Sequence, residues 1–284
     1  MPPLGPLVFV PFSLESHAVI ARLQQMAADQ GKTLEVTYDK VTDERIANLT
    51  SDITVFHDID FGQFTQGGAR WTVVPASSLA SYLGFHRAMQ PDQPEYWVRS
   101  HASGAAMGVA WLEASGAQVL RFADVPAGDT SSVSPESVKL LSDIFAEWPI
   151  PRGKSWDWRD AFIASSPEYK ADQEGWVDLT GRARHILTGP YIFLPAGIWN
   201  VVMDFEVDVE TGVPRFAFQL GGAALEKTLF TTLIRKSGRY QVSLDAKLDR
   251  PDAAHCMVAT DAAQLQGFLR LGNLKLTYVS PLEG

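Results

Sequence analysis

Cysteine is nearly absent: the 284 residues hold one, Cys256. A single thiol excludes an internal disulfide framework and a multi-cysteine metal site, and it fits a reducing, cytoplasmic setting. Positive charge is also scarce. Lys and Arg number 24 against 33 Asp and Glu, for a formal net charge of −9, and no basic stripe is available to displace counterions from a phosphate backbone. Nucleic acid is therefore not an expected partner, nor is an anionic membrane surface. No apolar run approaches the ~20 residues of a membrane-spanning helix, so membrane insertion is not expected. Residues Met1 to Phe12 lack a basic start and are interrupted by proline, unlike a secretory signal. Three catalytic or nucleotide signatures are missing as well: the Walker lysine loop, a G-x-G-x-x-G turn after the first apolar strand, and the G-x-S-x-G nucleophile elbow.

What is present is an ordinary folded composition, 46% hydrophobic and 20% charged, divided into two halves of different character. Residues 1–150 carry 9 Lys and Arg against 17 Asp and Glu, whereas the remainder carries 15 against 16. In the first half short apolar runs alternate with helical patterns. Leu7–Phe12, Leu34–Tyr38, Ile53–Phe56, Trp71–Val74 and Gln118–Phe122 read as strands. Helices are expected from Ser16 to a stop at Gly31, over Ser78–Met89, over Ala105–Ala114, and after the Ser134-Pro135 cap. This alternation predicts an α/β, Rossmann-like layer around a mostly parallel sheet over residues 1–150. Residues 151–175 read as a linker or strap. From Trp176 to the end the period becomes two. Trp199, Val201, Met203, Phe205, Val207 and Val209 alternate with a polar set, and Tyr240, Val242, Leu244, Ala246 and Leu248 repeat the pattern. Such alternation is that of half-buried strands. With turns at Pro195–Gly197, Thr211–Pro214, Gly221-Gly222, Lys236–Gly238 and Arg250–Asp252, it predicts an antiparallel β-sandwich over 176–284 and an α+β, two-domain chain.

Three segments of that second half, Gly189–Trp199, Ser237–Leu244 and Phe268–Val279, resemble the jelly-roll carbohydrate-binding modules and galactose-binding-like domains, over residues 176–280. The resemblance implies a jelly roll, a glycan or glycoconjugate as partner, and an accessory place beside bacterial surface-polysaccharide synthesis. The first half resembles no family.

For glycan binding the candidate residues are Trp156, Trp158, Trp176 and Tyr191, with Arg182, Arg184 and Asp178 near them in sequence. A flat ring covers the C–H face of a pyranose while polar neighbours bond its hydroxyls. Trp199 lies on the apolar stripe and is expected in the core, as is Cys256. The acids from Asp204 to Glu210 either solvate a sheet face and guard an edge strand, or contribute to a Ca²⁺ site. For catalysis the candidates are His57, Asp58 and Asp60, at the end of an apolar strand. Asp-x-Asp there is similar to the metal and nucleotide-sugar motif of glycosyltransferases and could hold Mn²⁺ or Mg²⁺; otherwise the two acids cap a strand. His86 and His101 could approach His57, and Arg99–Gly104 reads as a loop, or an anion-binding turn before a helix. Three readings stay open: a non-catalytic glycan-binding protein without a cofactor, a metal-dependent glycosyltransferase-like enzyme, and an assembly protein forming a homo-oligomer through its sandwich.

Overall fold

The computed structural model describes residues 5–61, 63–64, 70–161, 163–164, 172, 174–209, 213–222 and 228–282. The expected turn residues Thr211 and Gly212, and the Ser165–Glu168 part of the strap, lie outside them. The chain divides into two compact units, residues 1–149 and 150–284. No helix among the described residues is long and apolar enough to cross a membrane.

The first unit runs β1 (Leu7–Phe9), α1 (Ser16–Asp29), β2 (Leu34–Thr37), α2 (Asp43–Ala47), β3 (Ile53–Phe56), β4 (Trp71–Val73), α3 (Leu79–Met89), α4 (Glu95–Ala114), β5 (Gln118–Val119) and α5 (Pro135–Phe145). Its five strands form one parallel sheet in the order β2-β3-β1-β4-β5. Both faces are covered, which is why the central strands β1, β3 and β4 are buried at every position rather than at alternate ones. Val8, Val10 and Val55 pack on Val19, Leu23 and Met26 of α1. Leu7, Phe9, Phe56, Trp71 and Val73 face the other way, toward Val109 and Leu112 of α4. Gly108 allows that approach, because a Cβ there would lie 2.9 Å from the Phe9 ring.

Helix α4 is longer than the sequence pattern suggests. It begins after Pro94 and takes in all of Arg99–Gly104, so that segment is neither a loop nor an anion-binding turn. Pro94 at the N-cap and Glu95 in the first turn start the helix. The Ser103 hydroxyl is used internally, donating to the Ser100 carbonyl at 2.7 Å. Small residues at 100–106 hid the periodicity.

The second unit is a sandwich of two five-stranded sheets. Its strands are β6 (Ser155–Asp157), β7 (Ile163–Ala164), β8 (Trp176–Asp178), β9 (Arg184–Leu194), β10 (Gly197–Asp208), β11 (Arg215–Gly221), β12 (Thr228–Leu233), β13 (Gly238–Leu248), β14 (Asp252–Thr260) and β15 (Phe268–Ser280). From β8 onward, the first strand pairs with the eighth, the second with the seventh, the third with the sixth and the fourth with the fifth, all antiparallel. Contacts β10–β15 and β11–β14 join these ribbons into the two sheets. That is the strand order of a jelly roll. The segment expected as a linker contributes β6, whose Trp156 pairs with Leu276 of β15. Strand β10 sits between β13 and β15, so its acids do not guard an edge. Asp204 accepts from Gln241, Glu206 from Arg270, and Asp208 from Ser237.

Candidate functional site

The structure separates the aromatic residues that the sequence placed together. Trp156 is only 8% exposed and Trp158 not at all. Both are core side chains, so they are not a platform for sugar: Trp156 lies 6.0 Å from Trp199, itself buried against Tyr278. Trp158 is anchored by its backbone N–H on the Leu274 carbonyl at 2.8 Å. Two large rings next to a turn are drawn inward because β6 lies on the sandwich edge and its inward side meets the core. Arg184 is a loop clamp, its guanidinium donating to the carbonyls of Asp178, Leu179, Thr180 and Arg182. Asp178 caps the same loop by accepting from the Thr180 N–H, and Arg182 is exposed. Trp176 and Tyr191 remain half-exposed, but on opposite sheets.

Tyr191 stands on the outer face of the sheet β12-β11-β14-β9-β7. The pairing of β9 with β14 slips at Ala254/His255, and a bulge of this kind re-aims a side chain. Tyr191 also has φ +60°, the only positive φ at a non-glycine residue among those described. A bulky residue there stores strain of about 1–3 kcal/mol. The ring is held by stacking on His255, centroids 5.0 Å apart at 21°, and by a 2.8 Å hydrogen bond between its hydroxyl and that of Thr188. His255 meets the Gln219 carboxamide at 3.1 Å. Register then fixes the surroundings. Thr188, Met257, Gln219 and Leu229 lie across four strands in one row, and Ala259, Ala217 and Thr231 in the next. Ala217, Met257 and Ala259 form an apolar cluster of their own. This face thus carries small and sulfur-bearing side chains, two buried polar groups (Gln219, 6%, and His255, 9% exposed), and the exposed Leu229 and Leu233 of β12 beside them.

The sequence named Tyr191 but missed Gln219, Thr188 and His255. Only the outward position of Gln219 in an otherwise apolar strand signalled it. Cys256, next to His255, points into the core, and burial raises its thiol pKa well above the ordinary range, which leaves it unreactive.

In the α/β unit, Asp58 and Asp60 follow β3 in a segment bridged to Val41. Asp58 lies 3.6 Å from the Lys40 ammonium and accepts from the Ile59 N–H. Among the described residues no three His, Cys, Asp or Glu side chains gather around a metal-sized position. At the carboxyl ends of β1 and β4 the loops are joined by Glu15, whose buried carboxylate accepts from Ser77 and, at 2.8 Å, from Ser81.

His57 and the His86–His101 pair have different surroundings. His57 stacks against both Phe12 and Tyr38, with Nδ1 2.5 Å from the Val10 carbonyl. A carbonyl only accepts, so Nδ1 carries the proton. His86 packs instead against Phe85, Trp97 and His101. Burial lowers the pKa of both, that of His86 from 6.5 to about 4, with the nearby His101 adding to the effect. The unfolded chain then takes up protons that the folded one refuses. The His86 contribution to stability is complete above about pH 6.5 and is lost as the pH drops toward 4, with a slope on the order of 1.4 kcal/mol per pH unit. Urea unfolding of the full chain should show this loss, and His86→Phe should flatten it. A slope unchanged in that variant would contradict the assignment.

No protein-family model matches the sequence, and no curated protein matches it. Solved structures do. They include the xylan-binding module CBM15 (10% identity, 46% of this chain and 99% of that one, TM-score 0.34), and TmCBM61 in complex with β-1,4-galactotriose (10%, 44% and 87%, TM-score 0.28). Another is the Eiger TNF from S. frugiperda (10%, 40% and 92%, TM-score 0.28). Carbohydrate-binding modules are thus among the similar structures, as the sequence resemblance implies. At these scores the likeness says nothing about a ligand.

Proposed function

We propose that this chain is a non-catalytic glycan-binding protein, and that the saccharide lies against Tyr191 on the outer face of β9, β14, β11 and β12. The observation that carries the reading is Tyr191: a strained, half-exposed ring at a bulge, backed by His255 and tied to Thr188. A sugar needs a flat apolar surface for its C–H face and fixed donors and acceptors beside it. The Tyr191 ring, the apolar cluster and the Gln219–His255 pair supply that combination. The same reading keeps the chain in the reducing cytoplasm, supported by its single cysteine, and makes it an accessory of bacterial surface-polysaccharide synthesis, supported by the sequence resemblance. The α/β unit is read with it as a Rossmann-like layer without a nucleotide role, supported by the missing glycine and lysine loops.

The test is calorimetric titration of the full chain with soluble xylan, galactan, glucan and mannan, repeated with Tyr191→Ala. Saturable binding to one of these glycans, lost in the variant, is the expected result. Binding that the variant leaves intact would move the site elsewhere.

A further inference from the structure

We infer that the opposite sheet carries a second saccharide site, so that one sandwich holds two glycan chains. The inference shares with the reading above only the class of ligand; its residues are different ones.

One row of outward side chains crosses four strands of the sheet β13-β10-β15-β8. In register these are Arg239 on β13, Glu206 on β10, Arg270 on β15 and Trp176 on β8. Arg270 lies over the Trp176 ring, 4.6 Å from its centroid, while its Nη2 donates to Glu206 at 2.5 Å. Arg239 reaches the same carboxylate only at 3.7 Å. In the next row Gln241 donates to Asp204 at 2.8 Å. The pairing of β10 with β15 slips between Met203 and Phe205. Gly272 fits there because a Cβ would sit 3.0 Å from the Asp204 backbone oxygen. A cleft of about 580 Å³ lies at this place, bordered further by Arg159, Glu174 and Asn273.

The charges around this cleft decide what fits. Three guanidinium groups, Arg159, Arg239 and Arg270, face three carboxylates, Glu174, Asp204 and Glu206. A ligand of either net charge gains from one set and loses to the other. A neutral polyhydroxyl ligand meets alternating donors and acceptors, and each hydroxyl can do both. Because Glu206 is already paired with Arg270, and Asp204 with Gln241, the fixed groups are ordered before binding, which lowers the entropic cost of recognition. The volume falls within the ~300–1,000 Å³ of ordinary ligand clefts.

The experiment is a stoichiometry measurement on the full chain with neutral hexasaccharides (xylo-, cello-, galacto- and mannohexaose), and with hexagalacturonate as the charged comparison. Two sites per chain are expected for a neutral hexaose. Tyr191→Ala should leave one, the double variant Arg239→Ala/Gln241→Ala should leave one, and the combination none. Hexagalacturonate should bind the cleft at least about tenfold more weakly, since it must leave carboxylates facing carboxylates. A single site that Tyr191→Ala abolishes would overturn the second site and leave the first reading standing. A single site lost only in Arg239→Ala/Gln241→Ala would do the reverse. Absence of binding to every hexaose, or tighter cleft binding of hexagalacturonate, overturns this inference. Arg239 is 84% exposed at its side chain, so its removal leaves the fold intact.

Discussion

Trp158→Ala is expected to destabilise the protein by roughly 3–5 kcal/mol, the cost of removing a large, fully enclosed aromatic and leaving a cavity. Its side chain has no exposed surface, and Nε1 finds no hydrogen-bond partner among the described residues. The whole effect is therefore packing, and Trp158→Phe, which loses no hydrogen bond, should cost roughly half as much or less. Chemical denaturation read by the remaining tryptophans measures both. A ring that served a ligand at the surface would give the opposite result, with near-normal stability in both variants and altered binding. The outcome thus separates the two roles a tryptophan can have at the edge of a sandwich.

The second large effect is expected at Tyr191, and it splits stability from binding. Glycine adopts a φ of +60° without penalty, whereas tyrosine does not. Tyr191→Gly therefore relieves backbone strain of about 1–3 kcal/mol while losing the stacking on His255, worth about 0.5–1.5 kcal/mol, and the Thr188 hydrogen bond, worth about as much, and adding about 0.5–1 kcal/mol of unfolded-chain entropy. Gain and loss are of similar size, so its thermal midpoint should change little. Its saccharide affinity should fall by about 2 kcal/mol, roughly thirtyfold, as for a central aromatic anchor. A stable variant that no longer binds would mark the strain as serving the ligand. A variant that loses stability and keeps affinity would make Tyr191 a structural residue.

The sandwich was legible because alternation is a geometric necessity wherever one sheet face meets a core and the other does not. The stripe from Trp199 to Val207 is buried at every odd position, as the pattern required. The parallel sheet was legible from apolar runs of strand length between helices. The site was legible only in part. Trp156, Trp158, Trp176 and Tyr191 look alike in sequence, since each is an aromatic beside turn residues. What divides them is which side of a sheet each faces, and that depends on pairing between residues more than sixty positions apart, such as Tyr191 with its neighbour His255. Gln219 and His255 were hidden for a related reason. Strand β14 is buried at every position, so its outward row cannot be told from its inward row by hydropathy. The acids at Asp204 and Glu206 were readable as a polar face, but their arginine partners come from β13 and β15, and only the register joins them.

Hydrogen–deuterium exchange of the full chain, with and without the glycan that binds tightest, locates the saccharide on the sandwich. New protection is expected on β9, β11 and β14, strongest around Thr188, Gln219 and His255. Protection confined to residues 1–149, with the sandwich unchanged, would contradict that placement.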